Sequence, residues 1–157
     1  MKWLRVVLAI AALFITSSCV SLKMEEAGAG VEASVAQLPV LSEFDTVKVV
    51  YQTFCYSAYG LTCYYGRAYI IMGSSLPEDE ALDMYAGALM LSGWMPSGIQ
   101  YDTARELERG EHELVVIRSG QPSVDIAGAV DYLQLRSAYE SVIFVELDFM
   151  LPNRESC

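Results

Sequence analysis

From residue 41 onward the chain is a succession of short apolar runs separated by turn residues. Asp45–Tyr56 carries Val47, Val49, Val50, Tyr51, Thr53 and Phe54. Thr62–Met72 carries Tyr64, Tyr65, Tyr69, Ile70 and Ile71. Both runs are rich in β-branched and aromatic residues and predict strands. The period then changes. Leu82, Tyr85, Ala86 and Leu89 fall at i, i+3, i+4 and i+7, the stripe of an amphipathic helix. Ser75 with Glu78 fits a capping box, Pro77 and the acids Glu78, Asp79 and Glu80 suit a first turn, and Gly93 suits the position just past the end. Trp94 is expected to fold back onto the helix end or the sheet. Ile99–Glu108 and Glu111–Arg118 read as a hairpin turning at Arg109-Gly110. Asp125–Ala138 fits a helix through Ile126, Val130 and Leu133, and a strand through Leu133 and Leu135. Ser141–Leu151 predicts a last strand, ended by Pro152.

The order is ββαββ(α)β. Consecutive hairpins favour antiparallel pairing. The expected fold class is α+β: a two-layer sandwich, mostly antiparallel, of about five strands with one or two helices on one face.

The first forty residues have another character. Lys2 and Arg5 precede an unbroken apolar run, Val6–Ile15. A run of this length rises only about 15 Å as a helix, against a hydrocarbon core of about 30 Å. It suits a signal peptide rather than a membrane span. Thr16, Ser17, Ser18 and Cys19 follow. Small residues directly before a cysteine resemble the lipobox of bacterial lipoproteins, with Thr16 standing where that family usually carries Leu or Val. The resemblance covers residues 1–19. It implies a diacylated Cys19 thiol, cleavage before it, and a lipid anchor on the non-cytoplasmic side of the cell envelope. Val20 rather than Asp follows the cysteine, a pattern that does not retain enteric-type lipoproteins at the inner membrane, so an outer membrane is implied where one exists. The alternative is an ordinary signal peptide cut at or near Ser18. Val20 to about Gln37 is rich in Ala, Gly, Glu, Ser and Val without a sustained period, and predicts a flexible tether. Its Gly28-Ala29-Gly30-Val31-Glu32-Ala33 matches G-x-G-x-x-A, but no strand precedes it, so a dinucleotide site is rejected. The expected organisation is a signal peptide (1–18), a lipidated cysteine and tether (19–40), and one globular domain (41–157).

Composition narrows the function. Of 157 residues, 54% are hydrophobic and 19% charged, enough apolar content for a core. The net charge is −10, and loss of Lys2 and Arg5 with a signal peptide would leave −12. Such a chain is a poor nucleic-acid binder. No P-loop, G-x-S-x-G, H-E-x-x-H or kinase motif is present, and nothing in the pattern calls for a cofactor.

Four groups of residues are candidates for chemistry. Cys55 and Cys63 flank a segment with Gly60 near its middle, and a turn there would set them opposite each other as a disulfide, leaving Cys157 as an odd thiol. Tyr51, Tyr56, Tyr59, Tyr64, Tyr65 and Tyr69 are six of the ten tyrosines, concentrated in one predicted hairpin. They are either ordinary sheet surface or an interaction surface. Glu106, Glu108, Glu111 and Glu113 surround the Arg109-Gly110 turn, and with Leu107 opposite His112 all four would share one sheet face. That is either a solvated edge or a weak Ca²⁺ candidate; no other metal site is indicated. His112 is expected to be packed and hydrogen-bonded rather than catalytic. The resulting expectation is a non-catalytic envelope lipoprotein, an accessory or scaffold working through contacts with a protein partner. The alternative is a small-molecule or glycan-binding module. A carboxylate hydrolase comes third, with nothing selecting a pair.

Overall fold

The computed structural model describes residues 20–58, 61–101, 103–119 and 131–151. Cys19, Tyr59 and Cys157, the predicted signal peptide, and the 125–130 part of the ambiguous segment lie outside them. Among the described residues the chain is α+β, with three helices and one open six-stranded sheet. Helix α1 spans 20–35. The strands are β1 (Phe44–Ala58), β2 (Leu61–Ser74), β3 (Met95–Tyr101), β4 (Ala104–Arg109), β5 (Glu113–Ser119) and β6 (Ser141–Met150). Helix α2 is Glu78–Leu91 and α3 is Tyr132–Ala138. The sheet order is β1-β2-β6-β5-β4-β3, and each pairing is antiparallel.

The α+β class agrees with the expectation, and three details differ. The sheet has six strands rather than about five. The stretch read as one strand up to Glu108 divides, because β3 turns back onto β4 with Tyr101 opposite Ala104. The helices do not share one face. Helices α1 and α2 lie on the first face, with Val31, Leu82, Tyr85 and Leu89 in one core with Ala68, Ile70, Val145 and Leu147. Helix α3 lies on the second face, where Tyr132, Leu135 and Tyr139 cover Tyr69, Ile71, Val142 and Phe144. So Tyr132–Ala138 is the helical reading of the ambiguous segment.

The predicted tether is the largest correction. Residues 20–35 are a helix, and its Ala27, Val31 and Ser34 are buried. Positions 27, 31 and 34 recur at i, i+4 and i+7. The stripe is made of small residues, so it reads as linker composition. Its smallness serves contact: a Cβ on Gly66 of β2 would overlap the Ala27 carbonyl, and one on Gly30 would overlap the Phe149 ring. Backbone can approach backbone there because no side chain intervenes.

Helix α2 follows its predicted stripe, with Ala81, Leu82, Tyr85, Ala86 and Leu89 buried. Its start differs from the capping box. Pro77 is the N-cap residue and no side chain caps it, while the Ser74 hydroxyl accepts from the Leu76 amide. Its end matches. Gly93 sits at φ 93°, its amide donates to Met90 O, and the Trp94 amide donates to Leu89 O at 3.2 Å. This Schellman arrangement turns Trp94 back into the core.

Two glycines test this packing in opposite directions. Gly66→Ala is expected to cost about 1–3 kcal/mol through overpacking against α1. Gly87→Ala, in α2 with open space around its Cα, is expected to add about 0.5–1 kcal/mol by raising helix propensity. Urea denaturation of both variants checks the pair; equal effects would contradict the close approach of α1.

Candidate functional site

Register decides where each candidate lies. In β1 and β2, Cys55 pairs with Tyr64 and Tyr56 with Cys63. Directly opposed residues share a face and neighbours alternate. The two cysteines therefore point to opposite faces, and the expected disulfide does not form; neither residue is in one. The pairing of Ala58 with Leu61 leaves two residues to turn the chain. The cysteine pairing needs an odd number.

The same alternation divides the tyrosines. Tyr51 and Tyr64 belong to the α1 side of the sheet. Tyr56, Tyr65 and Tyr69 belong to the α3 side. Tyr69 is buried under α3, whereas Tyr51 is 44% exposed and Tyr56 61% exposed. The five tyrosines among the described residues, Tyr51, Tyr56, Tyr64, Tyr65 and Tyr69, do not form one patch. What the hairpin offers instead is its edge.

Strand β1 ends the sheet, so one side of its backbone has no strand partner among the described residues. Between Lys48 and Arg67 the sequence holds no charged residue and no proline. Edge strands are normally blunted by charge, proline or bulges. The other edge has such devices: β3 contains Pro96, Gly98 at φ 87° and a register shift between Pro96 and Gln100. On β1 the register shift lies at Thr46/Lys48, near its start, and leaves the stretch from Val49 regular. That stretch can accept another strand.

Behind the edge, the α3 side carries a charged clamp. Arg67 donates from Nε to Asp148 Oδ1 at 2.5 Å and from Nη2 to Oδ2 at 2.7 Å. Its Nη1 lies 3.0 Å from Glu146 Oε1 and donates to the Tyr69 hydroxyl at 3.2 Å. The guanidinium sits 5.1 Å from the Phe54 ring centre, and Phe54 stacks on Tyr65 at 5.2 Å. The bonds to Asp148 raise the Arg67 pKa, and partial burial opposes them. Burial, then the Cys63 thiol, raises the Tyr65 pKa. The clamp uses both carboxylates of β6 to hold β2 against it. Sequence reading missed it because Arg67 and Asp148 are eighty-one positions apart. One sign was available: acids interrupt an otherwise apolar last strand.

The glutamates do not converge. Arg109 pairs with Glu113 across a three-residue loop with Gly110 at φ 65°. The expected two-residue turn would have paired Leu107 with His112; Leu107 in fact pairs with Val115. A shift by an odd number sends Glu106 and Glu108 to one face and Glu113 to the other. Glu113 accepts from Arg109 Nε at 2.6 Å and from the Ser34 hydroxyl of α1. Glu106 accepts from Ser97 at 2.7 Å. Among the described residues no three His, Cys, Asp or Glu side chains gather as a metal site.

His112 sits half-buried in that loop, and its Nδ1 is buried without a protein partner, against the hydrogen-bonded expectation. It borders a wide, shallow hollow of about 600 Å³ with Ser34, Gln37, Arg109 and Phe149. A smaller apolar hollow of about 100 Å³ lies beside Tyr85, between Leu38, Leu41, Phe44 and Ile70. A third, of about 400 Å³, lies between α2 and β4 beside the Asp83–Arg105 ion pair. None of these three collects the hairpin tyrosines. No family model, no curated protein and no solved structure matches the chain.

Two outcomes follow from this geometry. Cys55 and Cys63 of the intact domain should alkylate as separate thiols; peptide mapping without reductant that links them would contradict the register. Hydrogen bonds from Arg109 hold Glu113 below its ordinary 4.5, with burial opposing and the Ser34 hydroxyl adding to the depression. A lowered folded pKa contributes stability above the unfolded value that is lost as pH falls through the folded one. Glu113→Gln should therefore cost stability near neutral pH, and the cost should shrink on acidification below pH 4.5. Urea midpoints of both proteins across that range check the sign.

Proposed function

We propose that this protein is a cell-envelope lipoprotein anchored through Cys19, and that it works as an accessory by accepting a strand from a protein partner along β1. The observation that carries the reading is the difference between the two sheet edges. Strand β3 is blunted by Pro96 and a bulge, while β1 from Val49 onward is uncharged and regular. Strand addition draws affinity from main-chain hydrogen bonds and specificity from alternate side chains. Tyr51 and Tyr56, on opposite faces of the edge, supply those contacts. Tyrosine provides large amphipathic area at low entropic cost. The lipobox-like Thr16–Cys19 supports the anchor and the non-cytoplasmic location.

The glycan or small-molecule alternative requires convergent polar groups in a concave site. None of the three hollows is lined by the hairpin tyrosines, so the edge is the better-supported surface.

The experiment is site-specific photocrosslinking in intact cells. A photoreactive residue at Gln52 on β1 should give one discrete protein adduct, and the same residue at Gln134 on α3 should give none. Tyr51→Lys with Tyr56→Lys should abolish the adduct while changing stability by no more than about 0.5 kcal/mol per site, as is usual for exposed positions. Equal labelling at both positions, or an adduct indifferent to the two lysines, sinks the proposal.

A further inference from the structure

We infer that the anchor has no leash, and that a lipid on Cys19 holds the domain directly against the bilayer on the side where α1 approaches the β1 edge. This rests on the lipoprotein reading. Composition alone promises a flexible linker from Val20 to Gln37, whose ends would lie roughly 24 Å apart on average at 5–6 Å × √n. The chain spends those residues otherwise. Helix runs from residue 20, and its Ala27, Val31 and Ser34 are buried against the sheet. Consecutive Cα atoms are about 3.8 Å apart, so the anchoring residue is one step from the start of this helix, about two turns before its first buried residue, Ala27.

The contacts of α1 give its direction. Ser34 bonds Glu113 on β5, and Gly30 lies against Phe149 on β6. Ala27 and Val31 lie against Gly66 on β2, and Gly28 against Thr53 on β1. Followed towards its start, the helix crosses β5, β6, β2 and then β1, so the turns before Gly28 continue over the β1 edge. There Val20 is 39% exposed and Leu22 65% exposed.

The chemistry of those turns suits a headgroup layer. Val20-Ser21-Leu22-Lys23-Met24 contains one cation and no carboxylate. The acids begin at Glu25 and Glu26, and Glu26 is paired with Lys23 at 3.1 Å. The segment nearest the lipid is thus free of the negative charge that burdens the rest of the chain and that anionic headgroups repel. The acyl chains supply the attachment, and Val20 and Leu22 set the orientation. A partner strand that reaches β1 is then met at the membrane surface.

The test uses the full lipidated protein in phosphatidylcholine vesicles bearing a headgroup nitroxide. A fluorescent amino acid is encoded at Leu22 or, as a distal reference, at Leu133 on α3. Quenching at position 22 should exceed that at 133 severalfold. A Gly-Ser segment as long as Val20–Gln37, inserted after Cys19, should remove the difference. Equal quenching at the two positions, in protein whose mass shows lipid on Cys19, overturns the flush arrangement and leaves the anchor standing. A mass without lipid on Cys19 overturns the lipoprotein reading and this inference with it.

Discussion

The structure depends on β6 taking its place between β2 and β5. The β1–β2 hairpin and the β3–β4–β5 meander are each local in sequence, but in the sheet only β6 joins them. Its first five residues are buried because both faces are covered there, by the α1–α2 core on one side and α3 on the other. A strand buried on both sides is apolar at successive positions rather than alternate ones. The two acids that interrupt it, Glu146 and Asp148, both meet Arg67 of β2. Partly buried carboxylates are tolerated because that guanidinium engages them with charge-assisted bonds. The pairing is also long in loop-closure terms, since β2 must wait for the last of the described strands.

Helix α1 is the second constraint, and it works through absence of bulk. Ala27, Gly30 and Gly66 let helix and sheet approach closely. The end of the helix is then tied by polar contacts. Ser34 donates to Glu113, Glu113 accepts from Arg109, and the Arg109 guanidinium lies 4.7 Å from the Trp94 ring centre. Trp94 itself is placed by the glycine-ended turn of α2. One chain of contacts thus connects the two helices of the first face. It also separates the glutamates of the turn: Glu113 is committed to Ser34 of α1, while Glu106 and Glu108 lie on the other face.

The two sheet edges are protected to different degrees. An edge strand that stays uncharged and regular is a liability for a free-standing domain. The same chain carries a proline and a bulge on its other edge. A liability kept on one side and removed from the other fits a strand used for binding. The helix that crosses towards that same edge carries the candidate anchor residue at its start, so the proposed anchor and the proposed strand partner meet at one edge.

Legibility from sequence was uneven, for physical reasons that differ by element. The α2 stripe, its glycine end and the strand-forming runs were readable because period and turn chemistry are local properties of the chain. The lipobox resemblance and the charge-free Val49–Gly66 stretch are likewise sequence facts. Three things were decided by tertiary structure alone. The first is α1, whose small-residue stripe carries no hydrophobic signal until Gly66 and Phe149 sit against it. The second is register: one residue more or less in a turn sends side chains to opposite faces, which separated Cys55 from Cys63 and Glu113 from Glu106 and Glu108. The third is the Arg67–Asp148 clamp, since no local pattern announces a bond between strands eighty-one positions apart. Sequence by itself determined helix α2 and the strand-forming runs, because propensity and period act over a few residues. Which faces meet was settled by long-range packing, because it depends on turn parity and on the fit of surfaces distant in the chain.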